Sequence, residues 1–242
     1  TPGITQIASL SLAQQGADVV ILPVGRDGLV DMAAAAAAID GTAALVAAML
    51  VNNEIGVVQP IAEIGALAGA AGAVMLCDGV QGYGRMAVPA GACDLIAISA
   101  HKMHGPKGIG ALWLRHGVEP MPLLHGGGQE GGLRSGTLAP ALCAGFGAAA
   151  ALARERMAAD AAHVAALADR FRAALGDRWI VNGAAEPRWP GNLNLRQEGV
   201  DASRLIADLR GLAFSAGSAC ARGSGRPSHV LKAVINGQTV SP

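Results

Sequence analysis

The apolar residues of this chain gather in short unbroken runs instead of alternating with polar residues. Runs at 19–24, 44–51, 73–77 and 94–98 predict strands covered on both faces, and a further strand is expected at 109–114. Helical stretches separate these strands along the chain. Because strands that alternate with helices favour a mostly parallel sheet flanked by helices, the predicted fold class is α/β.

Capping residues and glycines set the predicted ends of the helices. Gly16 would end a helix over 4–15, and Asp31 would cap an alanine-rich helix that runs to about residue 39. Alanine is the best helix former, so this low-complexity run is expected to be helical. Pro60 suits the first position of a helix that continues to about residue 70.

The last third of the chain predicts a smaller α+β unit that follows two long helices. We expect the boundary in the helical region, with residues 1–158 forming a large domain and residues 159–242 a small one. The predicted elements of this part are helices over 140–158, 161–175 and 203–209, and strands near 179–181, 192–195 and 213–215.

Composition narrows the classes of function. Eighteen Lys and Arg residues balance eighteen Asp and Glu residues, so charge gives no reason to expect nucleic acid or an anionic membrane as a partner. No apolar run reaches the roughly 18 residues of a membrane span. The chain begins with Thr1 and not with methionine, and we therefore expect a trimmed or partial chain.

The four cysteines form no CxxC pair and no zinc-like spacing. Cys77, Cys93 and Cys143 lie in or near apolar segments, where buried free thiols are expected. Free thiols are typical of a reducing compartment, so the expected location is the cytoplasm. Cys220 differs from the other three because its neighbours are small and polar.

Polar residues follow three of the predicted strands at the point where each strand ends. Asn53 follows 44–51, Asp78 follows 73–77, and Lys102 follows 94–98. In open α/β sheets, ligands bind beyond the carboxyl ends of the strands, so these residues should face one crevice. A lysine held there can form a Schiff base with a carbonyl compound, of which pyridoxal phosphate is the commonest in enzymes.

The residues around Lys102 suit the chemistry of pyridoxal phosphate. Asp78 can pair with the protonated pyridine nitrogen, and the amides of Asn53 and Gln81 can bind the phenolic oxygen of the ring. Ser99 and His101 can hold the phosphate. Singly, these residues could equally be a helix cap, turn residues and a loop histidine. Their convergence at three strand ends favours the cofactor site.

Two glycine-rich segments lie further along the chain. Residues 126–137 let backbone approach a ligand or another chain closely, although a flexible loop is the simpler explanation. Residues 215–227 carry Cys220, with Arg222 and Arg226 nearby to favour its thiolate. Such a thiol could collect a sulfur atom and deliver it elsewhere, or it could be a surface thiol without a role. No Walker sequence or dinucleotide fingerprint occurs.

These segments together resemble the cysteine desulfurases, which are fold-type I pyridoxal phosphate enzymes of the class V aminotransferase family. The resemblance extends from about residue 50 to residue 231, and the matching segments are 51–56, 78–81, 99–110, 126–137 and 215–220. It implies a large cofactor domain and a small α+β domain, both partial. The family's earlier phosphate-binding threonine and ring-stacking histidine, and its later substrate-binding arginine, have no counterpart in this sequence.

The resemblance also implies roles for individual residues. Lys102 would form the Schiff base with the cofactor and move the α-proton of the substrate, and Cys220 would accept sulfur from L-cysteine as a persulfide, leaving alanine. Thr137 would reach the phosphate of a neighbouring subunit, which implies a homodimer. The sulfur would pass to an acceptor protein such as an iron–sulfur scaffold.

Three alternatives remain open at this point. A selenocysteine lyase or another pyridoxal phosphate enzyme would use much the same residues, although a transaminase needs no thiol. A catalytically inactive fragment could act as a binding scaffold. A metal site at His101, His104 and His125 is weakly supported, because no carboxylate or cysteine neighbour completes it.

Overall fold

A computed structural model of the protein describes residues 11–216 and 228–236. Residues 11–14 are helical, and the remainder of the predicted helix over 4–15 lies largely outside the described residues. The helices are α1 (Met32–Ala38), α2 (Ile61–Ala71), α3 (Pro140–Leu175), α4 (Ala202–Asp208) and α5 (His229–Asn236). The strands are β1 (Leu45–Met49), β2 (Val74–Asp78), β3 (Leu95–Ser99), β4 (Gly110–Leu114), β5 (Ile180–Val181) and β6 (Leu195–Arg196).

The main sheet confirms the predicted fold class. Its strand order is β1-β2-β3-β4, with β1, β2 and β3 parallel and β4 antiparallel to β3. The three parallel strands therefore end at the same edge of the sheet. A separate antiparallel pair joins β5 to β6.

The sheet is held by a core on the side of α2. Ile61 and Ile64 of α2 pack with Met75 of β2 and Ile96 of β3, each at most 5% exposed. Trp189, from the segment between β5 and β6, joins the same cluster. No helix within residues 11–216 and 228–236 combines the length and apolarity needed to cross a bilayer.

The predicted helix caps are confirmed with one adjustment. The Asp31 side chain accepts hydrogen bonds from the backbone N–H groups of Ala33 and Ala34, which satisfies two free donors at the start of α1. Helix α2 begins at Ile61, one residue later than predicted, so Pro60 lies immediately before its first residue. Gly72 ends α2 in the left-handed conformation, at φ 74°, which glycine adopts without steric cost.

Two predicted strands are absent from the described residues. The run at 19–24 forms only an isolated bridge between Val24 and Val30, and residues 213–215 are irregular. Val20 and Ile21 are 70% and 42% exposed, so the middle of this run is uncovered, and within residues 11–216 and 228–236 the run has no ladder partner. Apolarity alone therefore predicted a strand where the sheet offers no neighbour.

The two helices predicted over 140–158 and 161–175 form the single helix α3, which is 36 residues long. The sequence Ala158-Ala159-Asp160-Ala161 contains neither glycine nor proline, so nothing ends the helix there. Gly176 follows the last helical residue. The proposed division into residues 1–158 and 159–242 stays a prediction.

Candidate active site

The parallel strands bring two of the predicted site residues together. Met49 of β1 pairs with Asp78 of β2, and Asp78 pairs with Ala97 of β3. Side chains two positions apart on a strand point to the same face, so Ser99 lies on the face of Ala97 and Asp78. Ser99 lies about 6.6 Å beyond Ala97 along β3, because each residue of a strand advances by about 3.3 Å.

Asp78 is a buried carboxylate at the end of a strand, with 7% of its surface exposed. Its Oδ1 accepts a hydrogen bond from the N–H of Val80 at 3.0 Å. The next residue, Gly79, donates its N–H to the carbonyl of Ala97 at 2.9 Å and so continues the pairing of β2 with β3 past the strand end. The backbone on both sides of Asp78 is thereby held in place.

A short turn presents the lysine. The 3-10 helix Ala100–Met103 follows β3 directly, and His104 ends it with a left-handed φ of 65°. Ala100 and Met103 are buried, whereas Lys102 is half-buried. The apolar members of the turn therefore anchor it to the core and leave the polar ones at the surface of the sheet edge.

Ser99 and His101 form a hydrogen-bonded pair. Ser99 Oγ lies 2.8 Å from His101 Nδ1, which brings a hydroxyl and an imidazole to the same point at the end of β3. Either ring nitrogen can carry the proton, so the pair can donate or accept. The pair therefore provides hydrogen-bonding groups of the kind that bind a phosphate.

Gln81 is held by an arginine that the sequence analysis did not single out. Arg85 Nη1 donates to Gln81 Oε1 at 2.8 Å, and Arg85 Nη2 donates to the carbonyl oxygen of Lys102 at 3.1 Å. The guanidinium also lies over the ring of Trp189, 5.9 Å from its centroid. Burial lowers the pKa of Arg85. The four-residue spacing from Gln81 was visible in the sequence, but the contact with the lysine turn was not.

Asn52 and Asn53 have different surroundings although they are adjacent. Asn52 Oδ1 accepts hydrogen bonds from the backbone N–H groups of Glu54 and Ile55, at 2.9 and 3.1 Å, which forms the turn after β1. Asn53 is exposed. The side chain of Asn52 is therefore used by the fold, and that of Asn53 projects from it.

The segment between β5 and β6 fixes the turn that carries Asn53. Three consecutive carbonyl oxygens of this turn each accept a hydrogen bond from a side chain of that segment. The pairs are Asn192 Nδ2 to Asn53 O (2.8 Å), Asn194 Nδ2 to Glu54 O (3.2 Å) and Arg188 Nη1 to Ile55 O. These contacts could not be predicted from the sequence, because they join residues more than 130 positions apart.

Helix α5 is joined to the same turn. Ser228 Oγ donates to Glu54 Oε2 at 2.6 Å and accepts from the N–H of Leu231 near the start of the helix. Val234 of α5 packs with Ile55 in a second small core. The buried carboxylate of Glu54 is therefore a structural connection between the turn and the C-terminal helix.

Thr137 lies apart from these residues. It is exposed at the end of the glycine-rich segment, where Ser135 Oγ accepts from the N–H of Gly128 at 3.3 Å and Gln129 Oε1 accepts from the N–H of Gly136 at 2.9 Å. Among the hydrogen bonds of the described residues, none joins Thr137 to the strand ends. The structure thus links Asp78, Gln81, Ser99, His101 and Lys102 at the ends of β2 and β3, and among the described residues it shows no such link for Asn53 or Thr137.

Cys220, Arg222 and Arg226 lie outside the described residues. Of the described cysteines, Cys77 and Cys93 are buried free thiols, as predicted. Burial raises the pKa of both thiols, so both stay protonated near neutral pH.

The prediction of a buried thiol is wrong for Cys143, which is exposed. It lies on α3, whose buried residues are Phe146 and Ala168, so an apolar neighbourhood in sequence did not produce burial. In the described part of the chain, no group of three or more His, Cys, Asp or Glu residues is placed to hold a metal ion, so His101, His104 and His125 do not form such a group.

Comparison with known proteins identifies the family. The aminotransferase class-V family profile matches residues 5–240, and the chain belongs to this family. Over 237 residues it is 42% identical to the cysteine desulfurase IscS of Rickettsia akari, covering 95% of this chain and 58% of that protein. It is 45% identical to the mitochondrial cysteine desulfurase of Eremothecium gossypii over 94% of this chain and 48% of that one. The chain thus spans about half the length of these relatives.

Solved structures show the same fold. A NifS-like protein from Rickettsia africae superposes with a TM-score of 0.81 at 28% identity, over 93% of this chain and 62% of that chain. DndA from Streptomyces lividans superposes with a TM-score of 0.78 at 34% identity, over 93% of this chain and 66% of that chain. The structure of SspA in complex with cysteine superposes with a TM-score of 0.80 at 30% identity, over 95% of this chain and 65% of that chain.

The residues at the strand ends fit pyridoxal phosphate, the cofactor of this family. A buried carboxylate suits a pyridinium nitrogen, and the hydroxyl–imidazole pair of Ser99 and His101 suits a phosphate. The oxygen of the Gln81 amide is already bound to Arg85, so its NH2 group is left as the donor for a ring oxygen. The polar side chains are therefore complementary to all three polar regions of the cofactor: its pyridinium nitrogen, its ring oxygen and its phosphate.

Proposed function

We propose that this chain carries the pyridoxal phosphate site of a cysteine desulfurase, which converts L-cysteine to L-alanine and transfers the sulfur to one of its own cysteines. The observation that carries the proposal is the grouping of Asp78, Ser99 and the Lys102 turn at one edge of the parallel sheet. Identities of 42% and 45% to proteins named cysteine desulfurase support it. The relative solved with cysteine supports L-cysteine as the substrate.

Each residue of the group has a proposed task. Lys102 Nζ would hold the cofactor aldehyde and would move the α-proton of the substrate. When bound, the cofactor would supply an electron sink at the α-carbon. Asp78 would keep the pyridine nitrogen protonated. The amides of Asn53 and Gln81 would donate to the ring oxygen, and Ser99 and His101 would bind the phosphate.

Cys220 is the proposed sulfur acceptor, and this assignment rests on the sequence. Its thiolate attacks the sulfur of L-cysteine, so a sulfur–sulfur bond forms as the bond between Cβ and sulfur breaks. The electron pair of the broken bond stays with carbon, which takes up a proton and leaves as the methyl group of alanine. The enzyme keeps the sulfur as a persulfide.

The proposed partners are a second copy of the chain and a cytoplasmic sulfur acceptor such as an iron–sulfur scaffold. Thr137 of each copy would reach the phosphate bound by the other. The exposed side chains of Met121 and Leu123, 88% and 93% accessible, lie just before the same segment and support an interface there. Light scattering should give twice the mass of the chain, and a monomer at micromolar concentration would contradict the homodimer.

The activity is tested with the purified chain, added pyridoxal phosphate and L-cysteine. We expect a visible absorption band that changes when L-cysteine is added, with alanine released. Cys220→Ser should keep the band and stop sulfur transfer, because the variant lacks only the acceptor thiol. A parental chain that forms no band would contradict the proposal. Faster turnover of selenocysteine than of L-cysteine would instead favour a selenocysteine lyase.

A further inference from the structure

Arg85 connects three parts of the molecule that meet at the candidate active site. Its guanidinium donates to the side chain of Gln81 and to the carbonyl oxygen of Lys102, and it lies over Trp189. Arg85 also donates to the backbone oxygen of Gln81 at 3.1 Å. One side chain therefore ties the loop after β2 to the turn that bears the lysine.

The chemistry of arginine decides which way the Gln81 amide faces. A guanidinium offers only donors, so the atom of Gln81 that faces it must be the carbonyl oxygen. The amide NH2 group is then the part that remains for a ligand. Without Arg85 the amide could rotate by half a turn and present its oxygen instead, which would repel an anionic ring oxygen.

The charge of Arg85 acts in the same direction. Its hydrogen-bond partners in the described part of the chain are neutral oxygens, and the ring below it is uncharged. The positive charge is therefore not cancelled by a contacting carboxylate. A positive charge behind the amide favours the anionic form of an oxygen bound in front of it.

We propose that Arg85 is a positioning residue, which orients the Gln81 amide as a donor to the cofactor's ring oxygen and holds the backbone of Lys102 beside it. This inference rests on the proposed function, because it assumes that the cofactor binds at Lys102. Arg85 itself contacts no reacting atom. Its effect is transmitted through Gln81, which makes the two residues energetically dependent on each other.

The first test measures the pH midpoint of the absorption change of the chain with bound pyridoxal phosphate. The group that titrates is the Lys102 nitrogen, which would be joined to the cofactor beside the ring oxygen. Loss of a donor to that oxygen makes this nitrogen more basic, so Arg85→Met should raise the midpoint by roughly one pH unit. Arg85→Lys keeps the charge and one donor, and should recover part of this shift. An unchanged midpoint in Arg85→Met would overturn the proposal.

A double-mutant cycle separates positioning from general loss of structure. Gln81→Ala should raise the midpoint by itself. Adding Arg85→Met to it should then raise the midpoint by less than Arg85→Met does in the parental chain, because only the direct effect of the charge remains. Fully additive shifts would show that Arg85 does not act through Gln81. Arg115→Met is the matched control, since Arg115 also donates to backbone carbonyls, those of Gly91 and Cys93, but at the opposite edge of the sheet.

A second test needs no cofactor. In the isotope-labelled chain alone, the side-chain amide of Gln81 should give a rigid NMR signal that becomes mobile in Arg85→Met and stays rigid in Arg115→Met. An amide that is equally mobile in the parental chain would overturn the proposal. If the parental chain forms no absorption band, the proposed function fails, and the NMR result still decides whether Arg85 orients Gln81.

Discussion

Single residues after β1 show how the fold separates structural from functional side chains. Asn52 and Asn53 are identical in type and adjacent, yet Asn52 accepts two backbone hydrogen bonds within the turn and Asn53 is exposed. The backbone oxygen of Asn53 is held by Asn192. The side chain of Asn53 is therefore presented on a rigid support, which is what ligand binding requires.

This difference predicts opposite effects of two neighbouring substitutions. Asn52→Ala leaves two backbone donors without their acceptor and should lower the free energy of unfolding by about 1–2 kcal/mol. Asn53→Ala should change it by less than about 0.5 kcal/mol, because the exposed side chain is not used by the fold. It should instead weaken binding of pyridoxal phosphate. Urea unfolding and a cofactor titration of both variants check this, and equal destabilisation would contradict it.

Most of the candidate site could be predicted at the residue scale from strand ends and side-chain chemistry. Asp78, Ser99 and Lys102 follow apolar runs that do form strands, so their meeting at one edge follows from parallel pairing. Arg85 and Asn192 could not be predicted in this way. Their contacts with the Lys102 turn and with Asn53 depend on how segments distant in sequence pack, and the local sequence does not show which segments will meet.

At the scale of elements, α2 lies close to the turn that precedes β3. Gly65 faces this turn, and a Cβ placed on it would lie 2.2 Å from the carbonyl oxygen of Ala92. Gly69, one turn further along the same helix, would meet nothing within 4 Å. The glycine at position 65 is therefore needed for close packing, and the one at 69 is not.

We expect Gly65→Ala and Gly69→Ala to have effects of opposite sign. Gly65→Ala forces α2 away from the Ala92 turn and should cost about 1–3 kcal/mol of unfolding free energy. Gly69→Ala should add about 0.5–1 kcal/mol, because alanine loses less backbone freedom in a helix. Urea midpoints of the two variants measure both effects. Similar midpoints for the two would show that the packing of α2 on this turn is looser than described.

The elements also show where pattern-based prediction stops. Both ends of each of the strands β1 to β4 were predicted to within two residues, because each strand is apolar and has a neighbour in the sheet. The run at 19–24 is equally apolar, but Val20 and Ile21 are exposed, and apart from the bridge at Val24 it pairs with no other described strand. Whether an apolar run becomes a strand thus depends on a neighbour that its own sequence does not specify.

At the scale of the whole molecule, two buried thiols link stability to pH. Cys77 and Cys93 are both inaccessible to solvent, and burial raises the pKa of each above its ordinary value of 9.0. In the unfolded chain the thiols lose their protons above about pH 9, while the folded chain keeps them. The folded state then binds more protons, so its stability is complete below pH 9 and falls as the pH rises beyond it.

The slope of this fall is measurable. Each thiol should contribute up to about 1.4 kcal/mol per pH unit above pH 9. The variant Cys77→Ala should have a shallower slope, whatever its absolute stability. Guanidinium unfolding between pH 8 and about 10.5 provides the comparison. Equal slopes in the parental chain and Cys77→Ala would contradict the assignment.

The central claim is that Lys102 binds pyridoxal phosphate at the edge of the parallel sheet, and one labelling experiment tests it directly. The sequence has three lysines, Lys102, Lys107 and Lys232, so a peptide map can tell them apart. Borohydride added to the chain with pyridoxal phosphate should fix the cofactor on Lys102. The label should disappear in Lys102→Ala and persist in Lys107→Ala, since Lys107 is exposed on the same loop. Label spread equally over the three lysines, or retained in Lys102→Ala, would contradict the account.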